Sequence, residues 1–477
     1  MIRRSLNFLS LAVMAVVIMA QVLSAQVDPK TRQLAHDIFQ QLIEINTTDS
    51  VGSTTVAAEA MARRLRDAGF PASDIVVLGP NPRKGNMVAR LHGTGLHKPV
   101  LLIGHLDVVE ARRSDWTTDP FQFVEKDGYY YGRGTQDMKS DDAVWVTEFI
   151  RLKREDFKPD RDLILALTAD EEGGTSNGVD WLLRNHRDLI DAEFVLNSDG
   201  GGVDTKNGKP EIVSMDASEK LYADFQLKVT NPGGHSSLPV PDNAIYHLSD
   251  SLGRLERFQF PVELNDVTRA YFERMTSIES GQHAADMRAI LSQPPDPEAV
   301  ARLSQLPLDN AKLRTTCVAT RLEGGHANNA LPQSAEANVN CRILPGHTRE
   351  EIRQALIRII ADPKVAVSYD DHGRVLDSAP NGQALPPVKL RPEVMQTLDE
   401  IAGEMWPGTP VIPTMATGAS DGVYTNAAGM PTYGISGVAI DTDDVRAHGR
   451  DERLRVESFY QGVDFYYRYL RALTSGH

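Results

Sequence analysis

Three short apolar runs, Pro99 to Gly104, Leu163 to Ala169 and Phe194 to Asn197, most narrow the folds open to this chain. They have the length of strands, are rich in Leu, Ile and Val, and do not alternate with polar residues. A strand written this way has both faces buried, as in a mainly parallel sheet covered by helices on each side. Helices are available to cover it. Leu34 to Ile45, Thr54 to Ala68 and Asp142 to Arg154 carry apolar residues at helical spacing. This alternation, from Arg32 to about Asp216, predicts an α/β fold with a mixed, mainly parallel sheet flanked by helices.

The texture changes near Ser218. Leu221 to Thr230 alternates like a half-exposed strand, Asn243 to Leu255 reads as a helix, and Thr315 to Leu322 and Ala335 to Ile343 read as two strands. Arg349 to Ile360 is helical and Val365 to Tyr369 is a last strand. The order β-α-β-β-α-β is that of a ferredoxin-like α+β unit. A polar, helix-prone insertion, about 261–312, interrupts it, and a Pro-rich linker (Ala379 to Pro392) leads back to α/β texture. With 477 residues the chain is long for one core. The division expected is a large domain in two parts, 26–217 and 376–477, with the small domain, 218–375, inserted between them.

Acidic residues outnumber basic ones by 65 to 50, a net charge of −15 that argues against a nucleic-acid partner. Two cysteines exclude a disulfide-rich scaffold and a Cys-based zinc cluster. Cys317 and Cys341 fall on neighbouring strand candidates, where a disulfide and two buried thiols are both open readings. At the amino terminus, Arg3 and Arg4 precede the apolar run Leu11 to Ala20, and the small residues Ser24 and Ala25 follow. This is the pattern of an export signal over residues 1–25, which predicts a periplasmic or secreted protein without a stable membrane anchor. The competing reading, an anchor, needs about 20 apolar residues, more than this run supplies.

Each of the three apolar runs ends in residues that bind metals. The first leads into His105 and Asp107, the second into Asp170, Glu171 and Glu172, the third into Ser198 and Asp199. Sites in open α/β sheets are built at these carboxyl ends. Taken singly, a strand-end Asp is equally a turn or N-cap residue. Residues i and i+2 of a strand share a side, so Asp107 can hold the second nitrogen of His105, a solvent-exposed turn being the other reading. Adjacent carboxylates at Glu171 and Glu172 repel unless a cation is near, and they point apart. One can then ligate while the other acts as general base. An acidic helix start is the other reading of that pair. Asp137, in the Gly-rich stretch Tyr131 to Lys139, and His448, in Arg446 to Glu452, are by themselves an N-cap candidate and a loop histidine.

Six segments occur together and in order: Gly104 to Val109, Gly132 to Lys139, Asp170 to Gly174, Ser198 to Gly200, Asn231 to Ser237 and His448-Gly449. With them the chain resembles the co-catalytic di-zinc exopeptidase and amidohydrolase family, which includes glutamate carboxypeptidase, aminoacylase, carnosinase and bacterial dipeptidases. In layout it is most similar to the large vacuolar carboxypeptidase-like and secreted N-acyl amino-acid hydrolase members. The resemblance implies that Asp137 bridges two zinc ions, with cobalt or manganese as substitutes, and that a cis peptide follows it. It implies His105 and Asp199 as ligands of one ion, and Glu172 and His448 as ligands of the other. Asp107 then orients His105, and Glu171 is the general base. His235, Asn329, Arg342, Gly418 and Ser420 match positions that contact substrate, and the small domain becomes a lid and dimerisation domain. The implied reaction is hydrolysis of small peptides by an exopeptidase, or of N-acyl amino acids by the same machinery. A non-catalytic periplasmic binding protein is the reading from another class. Against it, every implied ligand and the base are present.

Overall fold

The computed structural model describes residues 27–371, 373–380 and 384–475. The export signal expected over 1–25 lies outside the described residues. At the centre is a ten-stranded mixed sheet. Its order is Ile75–Leu78, Asn86–Leu91, Leu163–Thr168, Val100–His105, Phe194–Asn197, Thr432–Gly434, Lys209–Glu219, Gly202–Lys206 and Ala439–Asp441, with Val411–Ala416 paired to Lys209–Glu219. Val100–His105 runs parallel to both of its neighbours, Leu163–Thr168 and Phe194–Asn197. Every residue of these three strands is buried. Leu102, Leu165 and Leu196 face a core containing Phe39, Trp145 and Phe149. Leu101, Ile103, Ile164 and Val195 face the opposite layer, with Leu182, Ile190 and Met430. Burial on both faces is why these runs carry no polar alternation, and each buried aliphatic side chain contributes about 1.5–3 kcal/mol.

The small domain is an antiparallel sheet in the order Thr316–Gly324, Ser334–Ile343, Leu221–Thr230, Val365–Asp371 and Arg374–Leu376. Helices Ala244–Arg257 and Arg349–Ile360 cover one face. Leu221, Ala223, Phe225, Leu227 and Val229 point into that core, which accounts for the alternation read from the sequence. Cys317 and Cys341 stand opposite each other in the pairing of Thr316–Gly324 with Ser334–Ile343 and form a disulfide.

The insertion folds as four short helices, Asp266–Met275, Gly281–Ala289, Pro297–Leu303 and Pro307–Leu313. Although inserted in the small domain, they do not pack on its sheet. Tyr271, Phe272, Met275 and Leu313 form a core with Ile412 and Ile212 of the large sheet. Arg274 reaches the Val411 carbonyl at 2.7 Å and Asp399 at 2.9 Å. The insertion thus covers the outer strand of the large sheet and leaves Thr316–Gly324, an edge of the small one, bare.

Candidate metal centre

Parallel register brings the first three pieces together. His105 pairs with Thr168, and Ile103 with Asn197, so the exits of all three buried strands lie side by side. The turn after Thr168 is held by Asp170, which is buried, pairs with Lys84 and accepts the Ser176 N–H at 3.1 Å. Asp107 holds the same turn from the other side. Its two carboxylate oxygens accept the N–H groups of Glu171 and Glu172 at 3.2 and 3.0 Å. The expectation that this carboxylate orients His105 needs correction. His105 Nδ1 donates to the Asp107 backbone carbonyl at 3.0 Å, while the carboxylate is 3.7 Å away. With its two acceptors given to the neighbouring turn, the carboxylate positions Glu171 and Glu172, and the carbonyl fixes the imidazole. The outcome for His105 is unchanged, because Nδ1 carries the proton and Nε2 is left bare.

Asp137 and His448 arrive by a second device. Asp137 ends the Gly-rich loop ahead of helix Lys139–Arg154, and the Asp137–Met138 peptide is cis. The buried Glu452 carboxylate accepts the N–H groups of Gly134, Gln136 and Asp137 at 3.1, 2.6 and 3.2 Å and pairs with Arg133 at 2.6 Å. Gln136 Oε1 in return accepts the N–H groups of Arg446 and Ala447 at 2.7 and 2.9 Å. The loop bearing His448 is thereby bolted to the loop bearing Asp137.

The result is two triads that share one residue. Donor atoms of His105, Asp137 and Asp199 lie within 4.8 Å of one another, as do those of Asp137, Glu172 and His448. Asp137 turns one oxygen to His105 Nε2 and the other to His448 Nε2, each at 3.1 Å. Glu172 is 2.9 Å from His448 Nε2, and Asp199 is 4.0 Å from His105 Nε2. Donors around a tetrahedral ion with bonds of 2.0–2.2 Å sit about 3.2–3.6 Å apart, so this spacing suits a pair of small divalent cations. His105 Nε2 and Asp137 Oδ1 are both buried and, apart from each other, have no hydrogen-bond partner among the described residues. Nitrogen and oxygen donors left bare in this way fit a metal.

The electrostatics point the same way. Burial pushes Glu171 up to about 8 and Glu172 up to about 7, with neighbouring carboxylates adding to both shifts. Burial also raises Asp199 well above the usual carboxylate range. Burial opposes charge on His105, yet Asp137, Asp199, Glu171 and Asp107 together raise it well above its ordinary value. Hydrogen bonding to Asp137 lifts His448 to about 9. The cluster favours positive charge, which bound cations would supply where protons otherwise do.

Of the positions expected to contact substrate, Gly418 and Ser420 line a cleft of about 170 Å³ that includes Asp199 and Asn197. Arg342 stands opposite Tyr222 at the end of the small sheet nearest the crossing into the large domain, its guanidinium 4.7 Å from the Tyr222 ring. His235 and Asn329 are exposed on a neighbouring short ribbon, where the Asn329 carbonyl accepts the Ser236 N–H at 3.0 Å. No contact among the described residues joins His235, Asn329 or Arg342 to the triads of their own chain.

Sequence reasoning gave no role to Glu452 or Asp421, and it grouped Asp170 with the metal candidates, whereas Asp170 holds the turn through Lys84 and the Ser176 N–H and joins neither triad. Asp421 is buried, accepts from Thr168 Oγ1 at 3.1 Å and from Asn177 Nδ2 at 2.6 Å, and adds negative potential at Glu171 and Asp199.

The sequence profile of Peptidase family M20/M25/M40 matches residues 101–472. The probable carboxypeptidase S-like 2 of Dictyostelium discoideum is 29% identical over 388 residues, covering 78% of this chain and 71% of that protein. The N-fatty-acyl-amino acid synthase/hydrolase PM20D1 of Homo sapiens is 28% identical over 382 residues, covering 78% and 74%. Among solved structures, the M20 family metallo-carboxypeptidase Sso-CP2 from Sulfolobus solfataricus superposes with a TM-score of 0.67 at 16% identity, covering 94% of this chain and 99% of that one. The fold, the sequence profile and the relatives agree that this chain belongs to peptidase family M20/M25/M40 and is a metallohydrolase of peptide or amide bonds.

Proposed function

We propose that the two triads are a co-catalytic zinc centre. His105 and Asp199 would hold one ion and Glu172 and His448 the other, with Asp137 shared between the two sets. The observation that carries this is the sharing of Asp137, one oxygen toward each imidazole. Two such ions, when bound, lower the pKa of a water and polarise the scissile carbonyl. Glu171, beside the triads and held at its backbone by Asp107, takes the proton of the attacking water and returns it to the leaving nitrogen.

The substrate is a small peptide cut at its end, and N-acyl amino acids are the second reading. A carboxypeptidase and an N-acyl amino-acid hydrolase break the same bond, the amide to an amino acid whose carboxylate is free. An Arg fork suits such a carboxylate, which favours Arg342, near the domain crossing, as the residue that holds it. His235 Nδ1 accepts the Ser237 N–H at 3.2 Å, so Nε2 carries the proton and is a ready donor to an oxyanion. It lies outside its own chain's cluster, and we assign it to the site of a second copy in a homodimer. The bare edge Thr316–Gly324 supports that assembly, being long and exposed, with Val318 60% and Leu322 66% accessible. Export is supported by the leader pattern and by the disulfide, a bond that persists in oxidising compartments.

The test is metal analysis of the mature protein together with turnover of dipeptides and N-acyl amino acids, with and without added zinc, cobalt or manganese. Two ions per chain and metal-dependent turnover of at least one class are expected. Glu171→Gln is expected to keep its metals and lose about 10²–10⁴-fold in kcat. Near-normal turnover in that variant overturns the assignment of the base.

A further inference from the structure

Glu219 stands where the chain crosses between domains. It is the last residue of Lys209–Glu219, and Leu221 begins the first strand of the small domain. In the parallel pairing with Val411–Ala416 it is the register partner of Ala416, the residue before the loop Thr417–Asp421. Its side chain is buried and turns toward that loop. Oε2 accepts both the backbone N–H of Ser420 at 2.7 Å and the Ser420 hydroxyl at 3.1 Å. A Cβ on Gly422 would come within 2.5 Å of the other oxygen, so the glycine leaves room for the carboxylate.

The Ser420 hydroxyl has every site used. It donates to Glu219 and accepts from Asn197 Nδ2 at 3.0 Å and from the Gly422 N–H at 3.1 Å. Asn197 in turn accepts the N–H of Asp199 at 3.0 Å. A chain of hydrogen bonds therefore runs from the domain crossing, through the loop that lines the cleft, to the residue assigned to one metal. Lys220 points the opposite way, as adjacent strand residues do, and donates to the Arg314 carbonyl at 2.7 Å, gripping the second crossing into the small sheet. Burying a carboxyl group is unfavourable unless it is hydrogen-bonded, and packing alone would be served by an apolar side chain.

We propose that Glu219 is a positioning residue. By holding Ser420 from the domain crossing, it sets the substrate loop Gly418–Ser420 against Asp199 and ties the position of that loop to that of the small domain. The inference rests on the site reading above. Kinetics of Glu219→Leu, Ser420→Ala and the double variant test it, on N-acetyl-L-methionine or L-alanyl-L-leucine, whichever the wild type turns over faster. Glu219→Leu, which fills similar space without an acceptor, is expected to bind two metals, raise KM about tenfold and leave kcat within about threefold. Ser420→Ala is expected to raise KM less, and the double variant no more than Glu219→Leu, because both act through one contact. If Glu219→Leu does not fold, Glu219→Asp, which withdraws the carboxylate by one methylene, is expected to give the same rise in KM. A folded Glu219 variant with wild-type KM, a loss confined to kcat, or effects of Glu219 and Ser420 that multiply each overturn the proposal. Glu171→Gln run in parallel separates the two readings. If it is inactive while the Glu219 variant is normal, only this inference falls. If it is active, the site reading falls.

Discussion

Asp137 is the residue on which both triads depend, and its two oxygens do different work. Its carboxyl is held below the usual range, because the hydrogen bonds and charges of His105 and His448 outweigh a large opposing effect of burial. Asp137→Ala is therefore expected to bring metal content close to zero, whereas His448→Ala retains about one ion per chain, as checked by elemental analysis after dialysis. A second carboxyl, away from this cluster, makes a prediction about stability. Glu148, on helix Lys139–Arg154, is fully buried, both its oxygens lack hydrogen-bond partners among the described residues, Arg151 stands 3.9 Å from one of them, and burial pushes it up to about 8. The folded state then holds a proton that the unfolded chain gives up near the ordinary glutamate value of 4.5. Stability from this group is complete below that value and is lost as pH rises toward 8. Glu148→Gln is expected to match the wild type near pH 5 and to exceed it by about 1–3 kcal/mol near pH 9, in denaturant unfolding at the two pH values.

Elements whose ends are written by local chemistry stood out in the sequence. Arg349–Ile360 was read to the residue, and in the structure a capping box of Thr348 with Glu351 starts it there. The helix after Asp137 begins three residues ahead of the expected Asp142, at Lys139. Its first turn is polar yet buried. Lys139 donates to the carbonyls of Leu42 and Ile45 at 2.9 and 2.8 Å, and Asp141 accepts from Ser436 at 2.7 Å. Periodicity counts apolar residues, so a turn buried through such partners reads as exposed loop. The loops carrying Asp137 and His448 depend on Glu452 in the same hidden way. Glu452→Ala would leave Arg133 buried without its partner and free the N–H groups of Gly134, Gln136 and Asp137. The expected result is a loss of about 3–5 kcal/mol in urea unfolding and weaker metal binding in a titration.

At the level of the molecule, the insertion and the bare edge are one finding. The insertion docks on the large sheet through Tyr271, Phe272 and Leu313 and leaves Thr316–Gly324 uncovered. Pairing of that edge with its twin is the arrangement proposed for the dimer, since an exposed strand offers a row of unpaired backbone groups. Val318→Lys with Leu322→Lys is expected to shift the particle to monomer mass in light scattering while leaving the fold intact. If His235 serves the other copy's site, the same variant is also expected to lose most of its turnover.

Much of the catalytic architecture was visible in the chain because burial on two faces leaves its own composition. Val100–His105, Leu163–Thr168 and Phe194–Asn197 were found within a residue or two at each end, and three of the ligand candidates, His105, Glu172 and Asp199, follow directly from their exits. The six ordered segments, including Ser198 to Gly200 and His448-Gly449, carried the family. What no local pattern held were contacts between distant positions. Gln136 meets Glu452 across 316 residues, the insertion meets Ile412, and Asp107 uses its carbonyl for His105 and its carboxylate for Glu171 and Glu172. Spacing along a strand places a residue on a face, but which atom it offers, and to whom, depends on the chain that packs against it.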